Sequence, residues 1–522
     1  MGTTPDPRPS PTQPLVRRRS LLVGGAVGVG VAAAVGGGWW WLAREDAPGA
    51  SGLALSEPAV HRSVDGVLDV ELVASERTRT LAGALVTCFG YGDGVPGPTL
   101  VVSPGDTLRV LLVNDLDEPT NLHVHGLHVS PTGRGDDVFV SVAPGASHQY
   151  VYEIGTEHPT GTYWYHAHHH GRVADQVWRG LFGGLLVVPA DGTGTSSSPE
   201  VARERLLVVS DVTLSADGTA VAGVGRMAQM NGREGELVLV DGQSAPRLVG
   251  TSGTRERWRV VNACTSRYLS LALDGHAAVV VARDGADLAS PSDLADVVLA
   301  PGNRADLVVS LTSGEGSLRA LPVDRGAMTG SGGMMGSGGM MGSGGTGPGV
   351  TGSGAAGTSE DVVLLTALGR GSAAAPAVVT AGADVVDLGA LTPTRTRTLT
   401  LAGGMSAGMA GMGMAFTIDG HEFSMDRVDQ RVRLGEVEDW VLVNDTTMHH
   451  PFHLHVWPMQ VLETDGVAPS RVTRLDVVDV PAGARVRVRV SFTDFPGRTV
   501  YHCHVLDHED LGMMGTVQVT TS

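Results

Sequence analysis

Gly435-Glu-Val-Glu-Asp-Trp-Val-Leu-Val-Asn444 reads as a turn feeding a strand, with a glycine for the turn and an apolar run closed by asparagine. The same spacing of Gly and Asn recurs at Gly105–Asn114 (GDTLRVLLVN) and Gly253–Asn262 (GTRERWRVVN). A second element recurs with it. Pro-Gly followed by alternating residues stands at Pro144-Gly145 and Pro301-Gly302. Pro481-Ala-Gly483 opens Arg485-Val-Arg-Val-Arg-Val490, whose period of two is that of a half-buried strand. Three similar all-β units follow, near 60–190, 200–325 and 360–522, with the Gly/Ser/Met-rich stretch 326–358 as a linker. Greek-key β-sandwiches are the natural architecture for such units, and 522 residues suit about three domains.

The repeats also locate a metal. Nine and eleven residues after Asn114 stand His123 and His125; the same offsets after Asn444 hold His453 and His455. After Asn262 they hold Leu271 and Leu273, so the middle unit lacks ligands there. A second pair recurs five and seven residues after a glycine: Gly161 leads to His166 and His168, Gly497 to His502 and His504. Residues i and i+2 on a strand project from one face roughly 7 Å apart, so each His-x-His pair suits two neighbouring metals. Any one pair is most simply a surface strand. Four pairs in register with a repeat point to convergence between the first and third units.

Between His502 and His504 sits Cys503, with His508 and Met513 following. Thiolate, imidazole and thioether at those offsets can close on one copper; a trigonal His2Cys site with a weak axial Met is the ligand set of a blue electron-transfer centre. Neighbours on a strand face opposite sides, so His502 and His504 point away from that centre toward other metals. In the first unit Ala167 replaces the cysteine and Leu181 the methionine, so only the third unit can build the blue site. Zinc is disfavoured, because eight paired histidines without CxxC or acidic bridges are unlike its usual sets.

These motifs resemble those of multicopper oxidases: His123-Val-His125-Gly126, Trp164-Tyr-His166-Ala-His168, His450-Pro-Phe-His453-Leu-His455, and His502-Cys-His504 with His508 and Met513. The resemblance spans about residues 60–520 and implies three cupredoxin-like domains and four copper ions. It implies that type 1 copper, held by His450, Cys503, His508 and Met513, takes electrons singly from a reductant. His123 and His453 would hold type 2 copper, and His125, His166, His168, His455, His502 and His504 the type 3 pair, where O2 is reduced to water. Val456 and Ala167 depart from the family pattern (commonly Gly and Pro) without removing a ligand. His169, His170 and His449 are expected to back the ligands or to face solvent rather than to bind metal. Glu509 and Asp136, or its neighbour Asp137, resemble the family's proton-relaying acids.

Net charge is -18, and all 37 basic residues are arginine, which argues against a nucleic-acid partner. Cys88 and Cys264 either pair or stay free, with inert buried thiols slightly favoured. Residues 1–48 resemble a twin-arginine export signal: Arg17, Arg18 and Arg19 precede an apolar stretch from Leu21 to Leu42. An uncleaved membrane anchor is the competing reading, with Trp39-Trp40-Trp41 at the interface. Either way the body is expected outside the cytoplasm, in the cell envelope, periplasm or beyond, as a monomer.

Nine of the seventeen methionines fall in two Gly-rich stretches, which bears on the reductant. Met328, Met334, Met335, Met340 and Met341 lie in the linker; Met405, Met409, Met412 and Met414 lie just before Phe416. Thioethers select Cu(I) and tolerate exposure on a loop. The second stretch lies where bacterial cuprous oxidases carry a Met-rich segment over the blue copper, and Met448 resembles part of their substrate site, with Asp445 an imperfect match for the expected acid. A cuprous oxidase of copper tolerance is therefore the leading expectation. A laccase-like oxidase of phenols or aromatic amines is the alternative, and a copper store is disfavoured by the intact ligand set. Copper nitrite reductases normally keep the blue-site cysteine in the first of two domains, unlike this chain.

Overall fold

The computed structural model describes residues 52–190, 200–221, 223–328, 361–377, 379, 382–408 and 411–521. Strands dominate and form six sheets, two for each unit. In the first unit a sheet ordered Ala84–Tyr91, Val67–Leu81, Thr107–Asp115, Ser147–Glu153 accompanies one ordered Val60–Arg62, Gly97–Val102, Phe182–Val187, Gly161–His166, His123–His125. Neighbouring strands that are not consecutive in the chain are the mark of Greek-key crossovers. The second and third units each combine a six-stranded and a five-stranded sheet, in keeping with the all-β expectation.

The repeated asparagines explain the repeat. Asn114 donates its amide to Glu118 O and Val142 O, Asn262 to Arg267 O and Leu299 O, and Asn444 to Met448 O and Val480 O, all at 2.8–3.0 Å. Each also accepts an N–H from two residues on: Leu116, Cys264 and Thr446. One side chain thus pins the end of a strand to the loop carrying the metal-spaced residues, as Asx turns do. The leading glycines Gly105, Gly253 and Gly435 have φ of +92°, +84° and +89°, a region costly for any residue with a Cβ.

Each unit has its own apolar core, and a fourth cluster seals the first unit to the second around Trp164, Trp178, Leu206 and Leu239. The expected boundary at residue 360 is corrected. Val362–Arg370 lies in the second unit's sheet, antiparallel to Gly314–Leu321 and parallel to Arg247–Thr251. Its Leu364, Leu365 and Ala367 fill the second core, which holds it there. The stretch 326–358 therefore interrupts a strand pair of the second unit, and the third unit's first strand is Arg395–Gly408. Met334, Met335, Met340 and Met341 lie outside the described residues, as do residues 1–48. No helix among the described residues is long and apolar enough to cross a membrane. Cys88, Cys264 and Cys503 are all free and buried.

Candidate metal centre

Two short strand pairs bring the histidines together. His123–His125 runs antiparallel to Gly161–His166, so His123 faces His166; His450–Leu454 runs antiparallel to Gly497–Cys503, so His453 faces His502. The two pairs then interleave. His123 stacks on His455 and His125 on His453, with ring centroids 3.9 Å apart in both cases. His168 approaches His502 and His455, and His504 approaches His125 and His166. All eight imidazoles of the four pairs are buried at this junction of the first and third units.

Their hydrogen bonds show which ring nitrogens are left to face a metal. His166 Nδ1 faces Ala167 O at 3.0 Å, and His453 Nδ1 faces Asp476 O at 2.7 Å. His123 Nδ1 faces the Asp136 carboxylate at 2.8 Å, and His125 Nε2 faces Asp476 Oδ1 at 3.0 Å. A carbonyl or ionised carboxylate oxygen only accepts, so each outward nitrogen is the N–H donor to it, and the opposite nitrogen of each ring is buried without a partner among the described residues. His502 Nε2 lies 3.2 Å from both His168 Nε2 and His455 Nε2. Unpaired buried acceptors are costly, and a cation among them satisfies several at once. Burial pushes His123, His125, His453, His455 and His504 well below the ordinary imidazole range, with mutual repulsion adding to it, so they are neutral as ligation requires. Three buried all-histidine triads have donor atoms within 4.8 Å of one another: His123, His125 and His166; His123, His453 and His455; His168, His455 and His502. The residues present fit a copper cluster.

A fourth triad lies on the other face of the Cys503 strand. Cys503 Sγ is 3.4 Å from His450 Nδ1 and 3.7 Å from His508 Nδ1, and the two nitrogens are 3.3 Å apart. The outer nitrogens are occupied: His450 Nε2 faces Thr446 Oγ1 at 2.9 Å and His508 Nε2 faces Met230 O at 3.0 Å. Burial pushes the Cys503 thiol up, so a metal is needed there to hold the thiolate. Met513 is fully buried in the same cluster, and its carbonyl accepts the Cys503 N–H at 3.0 Å. Phe416 stacks on His508 with centroids 4.0 Å apart.

The two expected acids are both at the cluster. Asp136 accepts from His123 and from the Val124 N–H, and burial pushes it up to about 8. Glu509 is fully buried, 3.0 Å from His502 Nδ1 and 3.5 Å from His168 Nε2, without aligned hydrogen bonds. Burial raises its carboxyl, but those imidazoles outweigh burial and bring it down to about 2. Asp137 is half-buried and caps the Phe139 N–H instead. His169 pairs with Ser141, His170 packs on Phe423 and His449 pairs with Asp479. Met448 is fully buried in the core that holds Cys503, whereas Asp445 is exposed. Met405 and Met414 are cross-strand partners in a hairpin, Met412 pairs with Ala407, and Met409 lies outside the described residues. Sequence reading missed Asp476, Arg304, Thr446 and Phe416, none of which carries a motif.

Residues 73–192, 201–317 and 391–522 match three family models, each described as multicopper oxidase. The chain is 27% identical over 451 residues to the multicopper oxidase mco of Staphylococcus aureus, spanning 85% of this chain and 86% of that protein. It is 25% identical over 493 residues to a laccase of Bacillus stratosphericus, spanning 82% and 90%. Its fold matches the multicopper oxidase from Campylobacter jejuni, described as a metallo-oxidase, with a TM-score of 0.73, 25% identity, and 90% and 96% of the two chains covered.

Proposed function

The chain belongs to the multicopper oxidase family, and from that premise we propose that it is an exported oxidase whose reductant is Cu(I), acting in copper tolerance. It is an oxidoreductase with copper as cofactor and O2 as acceptor. In this reading His450, Cys503, His508 and Met513 hold type 1 copper. His123 and His453 hold type 2, and His125, His166, His168, His455, His502 and His504 hold the type 3 pair. Copper bound there supplies one-electron oxidation of the substrate and four-electron reduction of O2 to water.

The chain supplies the rest. Cys503 is bonded through the backbone to His502 and His504, so a short covalent path joins the two sites. Asp136 orients His123 through its Nδ1–H. Glu509 lies within 3.5 Å of imidazoles from both outer units and, as a carboxylate, is placed to accept a proton and pass it on beside them.

The substrate reading rests on one observation. Phe416, which covers His508, belongs to the same strand, Gly411–Ile418, as Met412 and Met414. The methionine hairpin therefore springs from the residue over the blue site, where it would admit a small soft cation and exclude bulky organics. Arg17-Arg18-Arg19 with its following apolar stretch supports export, and copper tolerance is a task for that side of the membrane. The laccase reading keeps the support of the Bacillus stratosphericus relative.

The test is O2 uptake with Cu(I) and with a bulky phenol, in the intact protein and with Met405, Met409, Met412 and Met414 replaced by serine. Selective loss of Cu(I) turnover is expected. Unchanged Cu(I) turnover transfers the assignment to a laccase-like oxidase.

A further inference from the structure

The middle unit holds no copper ligand at the repeat positions, yet one of its turns reaches the histidine cluster. The turn that leads into the alternating strand recurs in each unit, at Gly145, Gly302 and Gly483. A Cβ on Gly145 of the first unit or Gly483 of the third would meet nothing within 4 Å. A Cβ on Gly302 would stand 3.0 Å from His504 Nε2 and 3.1 Å from His125 Cε1. Only the middle unit's turn is pressed against the imidazoles.

The residues after this turn tie the outer units together. Arg304, fully buried, grips Asp476 with two parallel bonds: Nη1 to Oδ1 at 2.6 Å and Nη2 to Oδ2 at 2.7 Å. Its Nε donates to Thr162 O of the first unit at 3.0 Å. Asn303 donates to Val477 O of the third unit at 3.0 Å. Asp476 in turn faces His125 Nε2 with its carboxylate and His453 Nδ1 with its carbonyl. The clamp has no room to spare: a Cβ on Gly126 would fall 2.4 Å from Arg304 Nη2 and 2.5 Å from Asp476 Oδ2. In the outer units the positions matching Arg304 are Ser147 and Arg485, both exposed.

We propose that Arg304 is the positioning residue of the copper cluster. By gripping Asp476 it fixes the tautomer and ring orientation of His125 and the placement of His453, one imidazole from each outer unit. The copper-free middle unit then has a task of its own: it sets the register between the halves of the cluster. A planar guanidinium suits this because its bidentate fork fixes the carboxylate's orientation, which a point charge does not. The inference rests on the copper assignment made above.

Arg304→Met, Arg304→Lys and Gly126→Ala are compared with the wild-type holoprotein, with Arg485→Met as control. The readouts are copper retained against a chelator, the blue absorption and the type 2 EPR signal. Expected is about 10–100-fold weaker copper retention at the cluster and an altered type 2 signal. The blue absorption stays intact in all three variants, Arg304→Lys is the mildest, and the control is unchanged. Wild-type cluster retention and EPR in Arg304→Met overturn the inference. So does a joint loss of blue absorption and cluster copper in both Arg304→Met and Gly126→Ala, which means the clamp only maintains the fold. A wild-type protein that binds no cluster copper would instead sink the copper assignment.

Discussion

Phe416 lies face to face with His508, the ring planes 18° from parallel, and both residues are fully buried. The ring keeps water from one flank of the proposed blue site, and solvent access is one of the quantities that set a metal's potential. Phe416→Ala should therefore lower the reduction potential, since water favours the more highly charged oxidised ion. It should also destabilise the fold by about 3–5 kcal/mol, the usual cost of truncating a core phenylalanine. Redox titration of the blue absorption and denaturant unfolding measure both; an unchanged potential would separate the stacking from the tuning.

Cys503 Sγ lies 3.4 Å from His450 Nδ1 and 3.7 Å from His508 Nδ1. Cys503→Ser should abolish the intense blue absorption and turnover while leaving the cluster's copper bound. Visible spectroscopy with metal analysis decides it, and surviving blue colour would refute the ligand assignment.

The proposed function gives Asp136 and Glu509 separable tasks. Asp136→Ala removes the acceptor for His123 Nδ1–H and should weaken copper binding about 10–100-fold. Asp136→Asn keeps an acceptor but carries no exchangeable acid, so copper should stay while turnover falls. Glu509→Gln should lower turnover about 100–10,000-fold with the blue absorption retained, the range for loss of a proton-transferring group. Oxygen uptake beside copper content distinguishes these outcomes; full activity in Glu509→Gln would remove it from proton delivery.

Asp241 offers a pH signature away from the copper. Burial pushes its carboxyl from 3.8 up to about 8, although it accepts the Val208 N–H at 3.0 Å. The folded state then binds more protons than the unfolded chain between those values, so this contribution to stability is full below about pH 4 and lost as pH rises through 8. Asp241→Asn should flatten that part of the profile. Denaturation midpoints of both proteins at pH 5 and pH 9 test it; equal slopes would contradict the shift.

The histidine constellation is legible because it repeats. The Gly-to-Asn strands fix offsets, and the offsets pick out His123, His125, His453 and His455 without any knowledge of contacts. Asp476 and Arg304 were not legible because their importance lies in pairing across 172 residues and two units. An arginine after a Pro-Gly turn looks the same at position 485, where it is exposed. The strand Val362–Arg370 pairs in the second unit, not the third as the sequence suggests, for a related reason. A Gly/Ser-rich stretch marks a break in packing, but composition does not tell an insertion between paired strands from a link between domains.

The interleaving of His123 with His455 and His125 with His453 has a consequence for the protein's manufacture. Half of the cage is translated early and the other half arrives with the final strands. A ribosome-bound or truncated polypeptide ending before residue 450 carries four of the eight imidazoles and no sulfur for the blue site. On the proposed ligand set, metal acquisition is thereby scheduled after Met513 has been made, and shorter chains cannot assemble the complete copper centre.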